Sequence, residues 1–442
     1  MKKNLYICLF VAMIFSLISC NNNNNNNNNQ TNNNSNNYGC EFTLFNEDLA
    51  YAYGYDEDKN KKMGYFDQNG NIVIDFKYKY ASGFVNNKAI VSLDGNKYFF
   101  INKNDEQISN SFDSIDYDYN NSIYEVKIDN KCCILNKDGD VISSDYDYIG
   151  NFNDGFAVVK NDFKYGYINL LGKEVKATTL DYAGAFFNEN AVIIENGIEK
   201  VINKNFNVIF ETNYGESISV AQKDYVIVRN NDELKVYDYN GMCLVKNNDP
   251  YSNSFARENY FSINGTIYSK TGEMLFSGYK EYQILCEYVI LKVDNNKYVV
   301  YDYEFNKIYE FNYNEYCWLS EYEEDNYRGN VYIEIRTENY NEFYVIKNKK
   351  VERLTFLDKY KSIEDIFMNY LLVLSDNGYG LLDFEGNIIY PATNDYRINA
   401  TDDGYFVYNN SNRESIVETI NSKKLIVSKE IISICFTSKN NN

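Results

Sequence analysis

The side chains able to do acid–base chemistry are carboxylates, lysines, tyrosines and cysteines, because the 442-residue chain contains no histidine. A Ser-His-Asp or Cys-His relay, an HExxH zinc site and a His-ligated haem are therefore excluded. Two Asp-x-Asp pairs remain as acid candidates, Asp116/Asp118 and Asp145/Asp147. Alternate residues of a strand share a face, so each pair would hold two acids side by side. A glycoside hydrolase needs such a dyad at about 5–9 Å. Both pairs recur at repeat positions, which favours solvated faces over a catalytic pair. Asp67-x-Asn69-Gly70-Asn71 and Asn136-x-Asp138-Gly139-Asp140 have the oxygen-rich spacing of calcium-loop fragments, but neither has a distal Glu. Turn formation already accounts for these residues. The nine cysteines include no CxxC pair and read as scattered thiols. The expectation is no catalytic residue, no metal and no cofactor.

The elements that position these groups follow from composition and periodicity. With 43 Lys+Arg against 63 Asp+Glu and no long basic run, a nucleic-acid partner is not expected. The chain holds 45 Tyr and 28 Phe but only 2 Pro, and short Val/Ile/Phe runs recur, so β-structure is expected.

At the N-terminus Lys2 and Lys3 precede an apolar run from Leu5 to Leu17, then Ile18-Ser19-Cys20. That run is short for a span, which needs roughly 20 residues, and reads as a signal peptide over 1–19. Its end resembles the lipobox of bacterial lipoproteins. The resemblance implies cleavage after Ser19 and diacylglycerol plus an N-acyl chain on Cys20. An ordinary signal peptide with Cys20 incidental is the alternative. Residues 21–37 are almost all Asn and cannot bury apolar surface, so 20–40 reads as a disordered tether. Such a tether would hold the folded part on the order of 20–25 Å from the membrane.

The body, 41–436, repeats, and 437–442 reads as a polar tail. Anchors fall at Asp67, Asn102, Asn136, Asn169, Asn203, Asp238, Ser269, Asp302, Lys347 and Asp383, with an eleventh at Asn421. Their steps are 35, 34, 33, 34, 35, 31, 33, 45 and 36 residues. Gly follows three residues after the anchor at Gly70, Gly139, Gly172, Gly241, Gly272 and Gly386. Asp or Asn opens a turn by accepting backbone N–H bonds, and Gly takes the positive φ that closes it. A third run follows about 22 residues after each anchor, as in Ala157-Val158-Val159. The unit therefore reads as a three-stranded antiparallel meander, and the fold as all-β. Units stack as propeller-like rings or as an open superhelical β-array.

Lys62-Met63-Gly64-Tyr65-Phe66-Asp67, Lys164-Tyr165-Gly166-Tyr167-Ile168-Asn169 and Phe152-Asn153-Asp154-Gly155-Phe156-Ala157-Val158-Val159 resemble the unit of WG-repeat proteins over roughly residues 61–427. The namesake Trp is replaced by Met63, Tyr98, Cys132, Tyr165 and Tyr379, and its Gly partner survives at Gly64, Gly166 and Gly380. The resemblance implies a fold and no reaction.

The 45-residue step marks an insertion near 310–330 that contains the single Trp. Inserted loops of repeat proteins often line the binding face, which makes Tyr316, Trp318, Tyr322 and Tyr327 a candidate binding loop. A longer solvated hairpin is the plainer alternative. The sequence thus predicts a non-enzymatic binding scaffold, lipid-anchored outside the cytoplasm on the bacterial cell envelope. It would meet the membrane through Cys20 and bind a protein, with a glycan-binding module or a carboxylate-dependent hydrolase as alternatives.

Overall fold

Each anchor residue opens a turn in the way its side chain dictates. The computed structural model describes residues 40–43 and 45–440, apart from 286–287, 314–316, 324–329, 339–340, 367–369, 396, 402–403, 410–413, 420–423, 427–432 and 435–436. Asp67 Oδ1 accepts the N–H groups of Asn69 and Asn71, both at 2.9 Å. Asn136 does the same for Asp138 and Asp140, and Ser269 Oγ for Thr271 and Glu273. The exception is Lys347, where Asn348 and Lys349 form a two-residue hairpin with φ of 50° and 59°. The six turn glycines all have positive φ, Gly70 at 83° for example.

These turns join the strands of nine four-stranded and two three-stranded sheets among the described residues. The fourth sheet is representative: Tyr148–Ile149, Phe156–Asn161, Lys164–Asn169 and Glu174–Leu180, paired in chain order and antiparallel. The sheet therefore has one strand more than the sequence unit suggested. The missing strand is the first, only two residues long at Tyr148–Ile149, and too short to show alternation. The repeat unit also straddles the boundary: its first two strands end one sheet and its third belongs to the next. In the second and third sheets the fourth strand shrinks to isolated bridges such as Tyr98↔Phe112 and Cys132↔Tyr146.

The sheets follow one another in a propeller-like ring, as the first alternative held, and the first and last described strands meet in it. Ser433–Ile434 pairs with Leu49–Tyr55 and supplies the first strand of the first sheet. Thr437–Asn440, within the stretch read as a polar tail, pairs with Cys40–Thr43.

The core lies between sheets. Ala157 and Val159 pack back on the third sheet with Ile123 and Ile134, whereas Val158 faces the fifth with Ala183 and Ile193. Alternate residues of one strand thus serve two interfaces, which is why its apolar run is continuous. Tyrosine hydroxyls tie neighbouring sheets: Tyr65 donates to Ser82 O at 2.8 Å, Tyr167 to Gly184 O at 2.7 Å and Tyr225 to Arg257 O at 2.7 Å. Tyr167→Phe would leave a half-buried carbonyl without that donor and lower stability by about 1 kcal/mol. Denaturation of the two proteins measures it, and an unchanged midpoint would contradict the assigned role.

Where the turn glycine is absent, its replacement reaches the preceding sheet. Asp105, at φ 66°, accepts from Tyr78 Oη at 2.5 Å. Phe206, at φ 61°, packs on Phe156 and Tyr167, and Phe305, at φ 66°, on Tyr260. Contact with the neighbour offsets the backbone strain of a non-glycine residue there.

Candidate binding face

An antiparallel meander separates its turns into two ends. Turns between third and fourth strands share one end with turns between first and second strands, such as Asn86–Asn87 and Asp154–Gly155. Turns between second and third strands, such as Asp162–Phe163, lie at the other end with the connections between sheets. Exposed aromatic side chains concentrate at the second end, although Phe187 is exposed in a turn at the first. Val141, Leu171, Met242, Met274 and Ile388 follow the anchor turns at the first end. Tyr55, Tyr80, Tyr148, Phe163, Tyr214 and Tyr251 occupy the second. The second end, which also exposes Leu93, Ile128 and Ile198, is the more aromatic face.

A repeated ion pair frames this face. Lys131 Nζ is 2.5 Å from Asp147 in the next sheet, and Lys164 is 2.5 Å from Asp181. Lys97 pairs with Asp113 in the same way. Each Asp also accepts a turn N–H of its own sheet, Asp162 N on Asp147 at 2.9 Å for example. The lysine hydrogen bond, followed by that N–H, holds the Asp147 carboxyl below its ordinary range.

Inside this frame, the first strands place Tyr80, Ser114, Tyr148 and Tyr182 at one register position, opposite Ser92, Lys127, Lys160 and Ile194. Tyr80 is 41% exposed and Tyr148 51%, so both rings are open to a ligand. Tyr80 meets Tyr98 edge-on at 5.5 Å, and Tyr182 meets Tyr165 at 5.8 Å. Carboxylates interleave with the rings. Asp116 stands directly opposite Glu125, which brings the two Cβ atoms to roughly 5 Å. Burial, then the Asp116 charge, pushes Glu125 up to about 7. The Tyr148 phenol is raised by burial and then by Glu125, and Tyr182 by burial, then Tyr165 and Glu199. Glu199 is itself raised by burial, opposed by the Ile218 N–H that it accepts.

The candidates from sequence fall in different places. Asp116 lies two residues beyond Ser114 on the same strand, and its close partner is Glu125. Asp118 instead accepts from Asn120 N at 2.9 Å and Asn121 N at 3.1 Å, while Asp147 is the ion-pair acceptor. The oxygens of Asp67 and Asn136 that suggested calcium are acceptors within their own turns. Cys132 and Cys133 are buried free thiols facing opposite interfaces. Trp318–Glu323 forms the first strand of the ninth sheet, paired with Val331–Arg336, so part of the insertion is sheet and not loop. Trp318 lies opposite Arg336 and Tyr322 opposite Tyr332. Tyr316, Tyr327, Ser19 and Cys20 lie outside the described residues, as does the eleventh anchor Asn421. Tyr148 and Tyr182, 34 residues apart in the Asp-Tyr step, were the available sequence signal for the row.

No match is found among curated proteins. Among solved structures, AztD from Citrobacter koseri is 11% identical at a TM-score of 0.30, with 92% of this chain and 100% of that one covered. BamB from Moraxella catarrhalis is 12% identical at 0.24, covering 74% and 92%. The computationally designed Ika8 protein is 12% identical at 0.29, covering 61% and 94%. In sequence, three segments of the chain, 63–98, 134–164 and 165–197, match the WG containing repeat.

Proposed function

We propose that the protein is a non-catalytic interaction scaffold, held outside the cytoplasm on the bacterial cell envelope by lipid on Cys20, and that its aromatic face binds a partner protein. The observation that carries this reading is the set of partly exposed tyrosines, Tyr80, Tyr148 and Tyr182, at one register position of the second, fourth and fifth sheets, with Ser114 at that position in the third. Tyrosine is enriched where protein partners anchor. A glycan ligand is the second reading, favoured by the carboxylates between the rings, which could accept hydroxyl hydrogen bonds. The hydrolase is the weaker reading: Asp118 and Asp147, the partners in the Asp-x-Asp pairs, are engaged as structural acceptors, and Asp116 with Glu125 is the close carboxylate pair left to it.

Metabolic labelling with a clickable fatty acid tests the anchor. Wild type takes up label and Cys20→Ala takes up none; undiminished labelling of the variant would sink the assignment.

A further inference from the structure

Five Asn-Gly steps occur in the chain, at Asn69, Asn196, Asn240, Asn264 and Asn377. Asn is thermolabile, and a following Gly, with no Cβ, leaves the backbone nitrogen open to its side-chain carbonyl carbon. The fold treats the five differently. Gly70 N donates to Asp67 O at 2.9 Å and Gly241 N to Asp238 O at 3.2 Å, within the anchor turns. Gly378 lies in a strand ladder opposite Ser375, whose hydroxyl donates to the Gly378 carbonyl.

The other two steps are tips of two-residue hairpins with both residues at positive φ. The angles are 54° and 76° at Asn196-Gly197, and 51° and 73° at Asn264-Gly265. One bond separates them. Gly197 N donates to Asp181 Oδ2 at 3.2 Å. Gly265 N has no acceptor among the described residues, and the exposed Asn264 side chain makes no hydrogen bond there. The groups around that nitrogen are held: Asn264 N donates to Asn253 O at 2.9 Å, and Gly278 N to Gly265 O at 2.9 Å. The strands at this tip are short, four residues each at Tyr260–Ile263 and Thr266–Ser269, against six each at Asn190–Glu195 and Ile198–Asn203. A shorter hairpin opens more readily at its tip.

We propose that Asn264 is a self-modifying site, which converts to aspartate and isoaspartate in the folded protein faster than any other Asn-Gly step. Gly265 N gives its proton to water or hydroxide and bonds to Asn264 Cγ. The Cγ–Nδ2 bond breaks, and ammonia leaves with a proton taken from solvent. Water then opens the five-membered imide at either carbonyl, giving aspartate or the isoaspartate that routes the backbone through the side chain. Either product adds a negative charge to a turn between second and third strands, at the end that exposes Tyr214 and Tyr251. Isoaspartate also lengthens the two-residue turn by one backbone atom and disturbs its register. This chemistry is independent of what that face binds.

Peptide mapping by mass spectrometry tests this on the full chain held in mildly alkaline buffer. Asn264 should convert at least about fivefold faster than Asn196, where the Gly197 nitrogen must first leave a carboxylate. Asn69, Asn240 and Asn377 should also trail Asn264. In guanidinium the lead of Asn264 should vanish, because Gly follows all five residues and the fold no longer sorts them. Asp181→Ala, with circular dichroism unchanged, should raise the rate at Asn196 and leave that at Asn264 unaltered. Conversion at Asn264 no faster than at Asn196 in the folded protein would overturn the proposal. So would a lead that persists in guanidinium, or an unchanged rate at Asn196 in Asp181→Ala.

Discussion

Gly166→Ala should destabilise the protein by about 2–3 kcal/mol, although it adds a single methyl group. Gly166 sits on the third strand of the fourth sheet, where pairing to the fourth strand breaks step. Tyr165 is opposite Leu180, but Tyr167 is opposite Lys176, so four residues of one strand span two of the other. The extra residues fold over the glycine. A Cβ there would lie 2.5 Å from Lys176 O and 2.8 Å from Ala177 C, both backbone atoms that cannot rotate away. The same step occurs at Gly64 and Gly380, where an added Cβ would lie 2.5 Å from Ile74 O and 2.5 Å from Ala392 Cα respectively. A bulge pressed against a glycine is a recognised way to bend an outer strand. Chemical denaturation with parallel spectroscopic probes measures the loss. A midpoint equal to that of wild type would show that the bulge is free to open.

Glu125→Gln should give a difference that depends on pH. The carboxyl titrates near 7 in the folded protein against an ordinary value of 4.5. Between those values the folded state keeps a proton that the unfolded chain has released, so stability falls as pH rises through this window. Below the window wild type and variant should be alike. Above pH 7 the variant, which has no charge to bury, should be more stable. The full shift corresponds to about 3 kcal/mol, which solvent screening at this partly exposed site reduces to about 1–2 kcal/mol. Unfolding at pH 5 and pH 8 tests it, and a constant difference at both values would contradict the assigned environment. Asp113, Asp147 and Asp181 act oppositely. Their carboxyls, lowered chiefly by the lysine bonds, contribute stability above the ordinary carboxylate range and lose it on acidification.

How much of this could be read from the chain depends on how far each determinant lies along it. The anchor turns were legible because Asp67, Asn69 and Asn71 satisfy one another within five positions. The continuous run Ala157-Val158-Val159 announced a buried strand for the same local reason. Tyr148–Ile149 was not legible as a strand, because two residues cannot display a period and their pairing depends on Val159 and Lys160 farther along. Glu125 was hidden differently. Its neighbours Asp116 and Tyr148 lie on other strands, and only register reveals which face they share. The replacements Asp105, Phe206 and Phe305 show no purpose within their own turns, yet each makes a contact with the sheet before it. Ring closure lay beyond local reading altogether, since it joins Ser433–Ile434 to Leu49–Tyr55 across almost the whole chain.

The role of the aromatic face is tested most directly by quantitative capture from envelope extracts, using full-length wild type, the double variant Tyr80→Ser/Tyr148→Ser, and Leu171→Ser as the control at the opposite end. At least one envelope protein should be recovered equally by wild type and Leu171→Ser and lost with the double variant. Equal recovery of every protein by all three would contradict the assignment of the binding face.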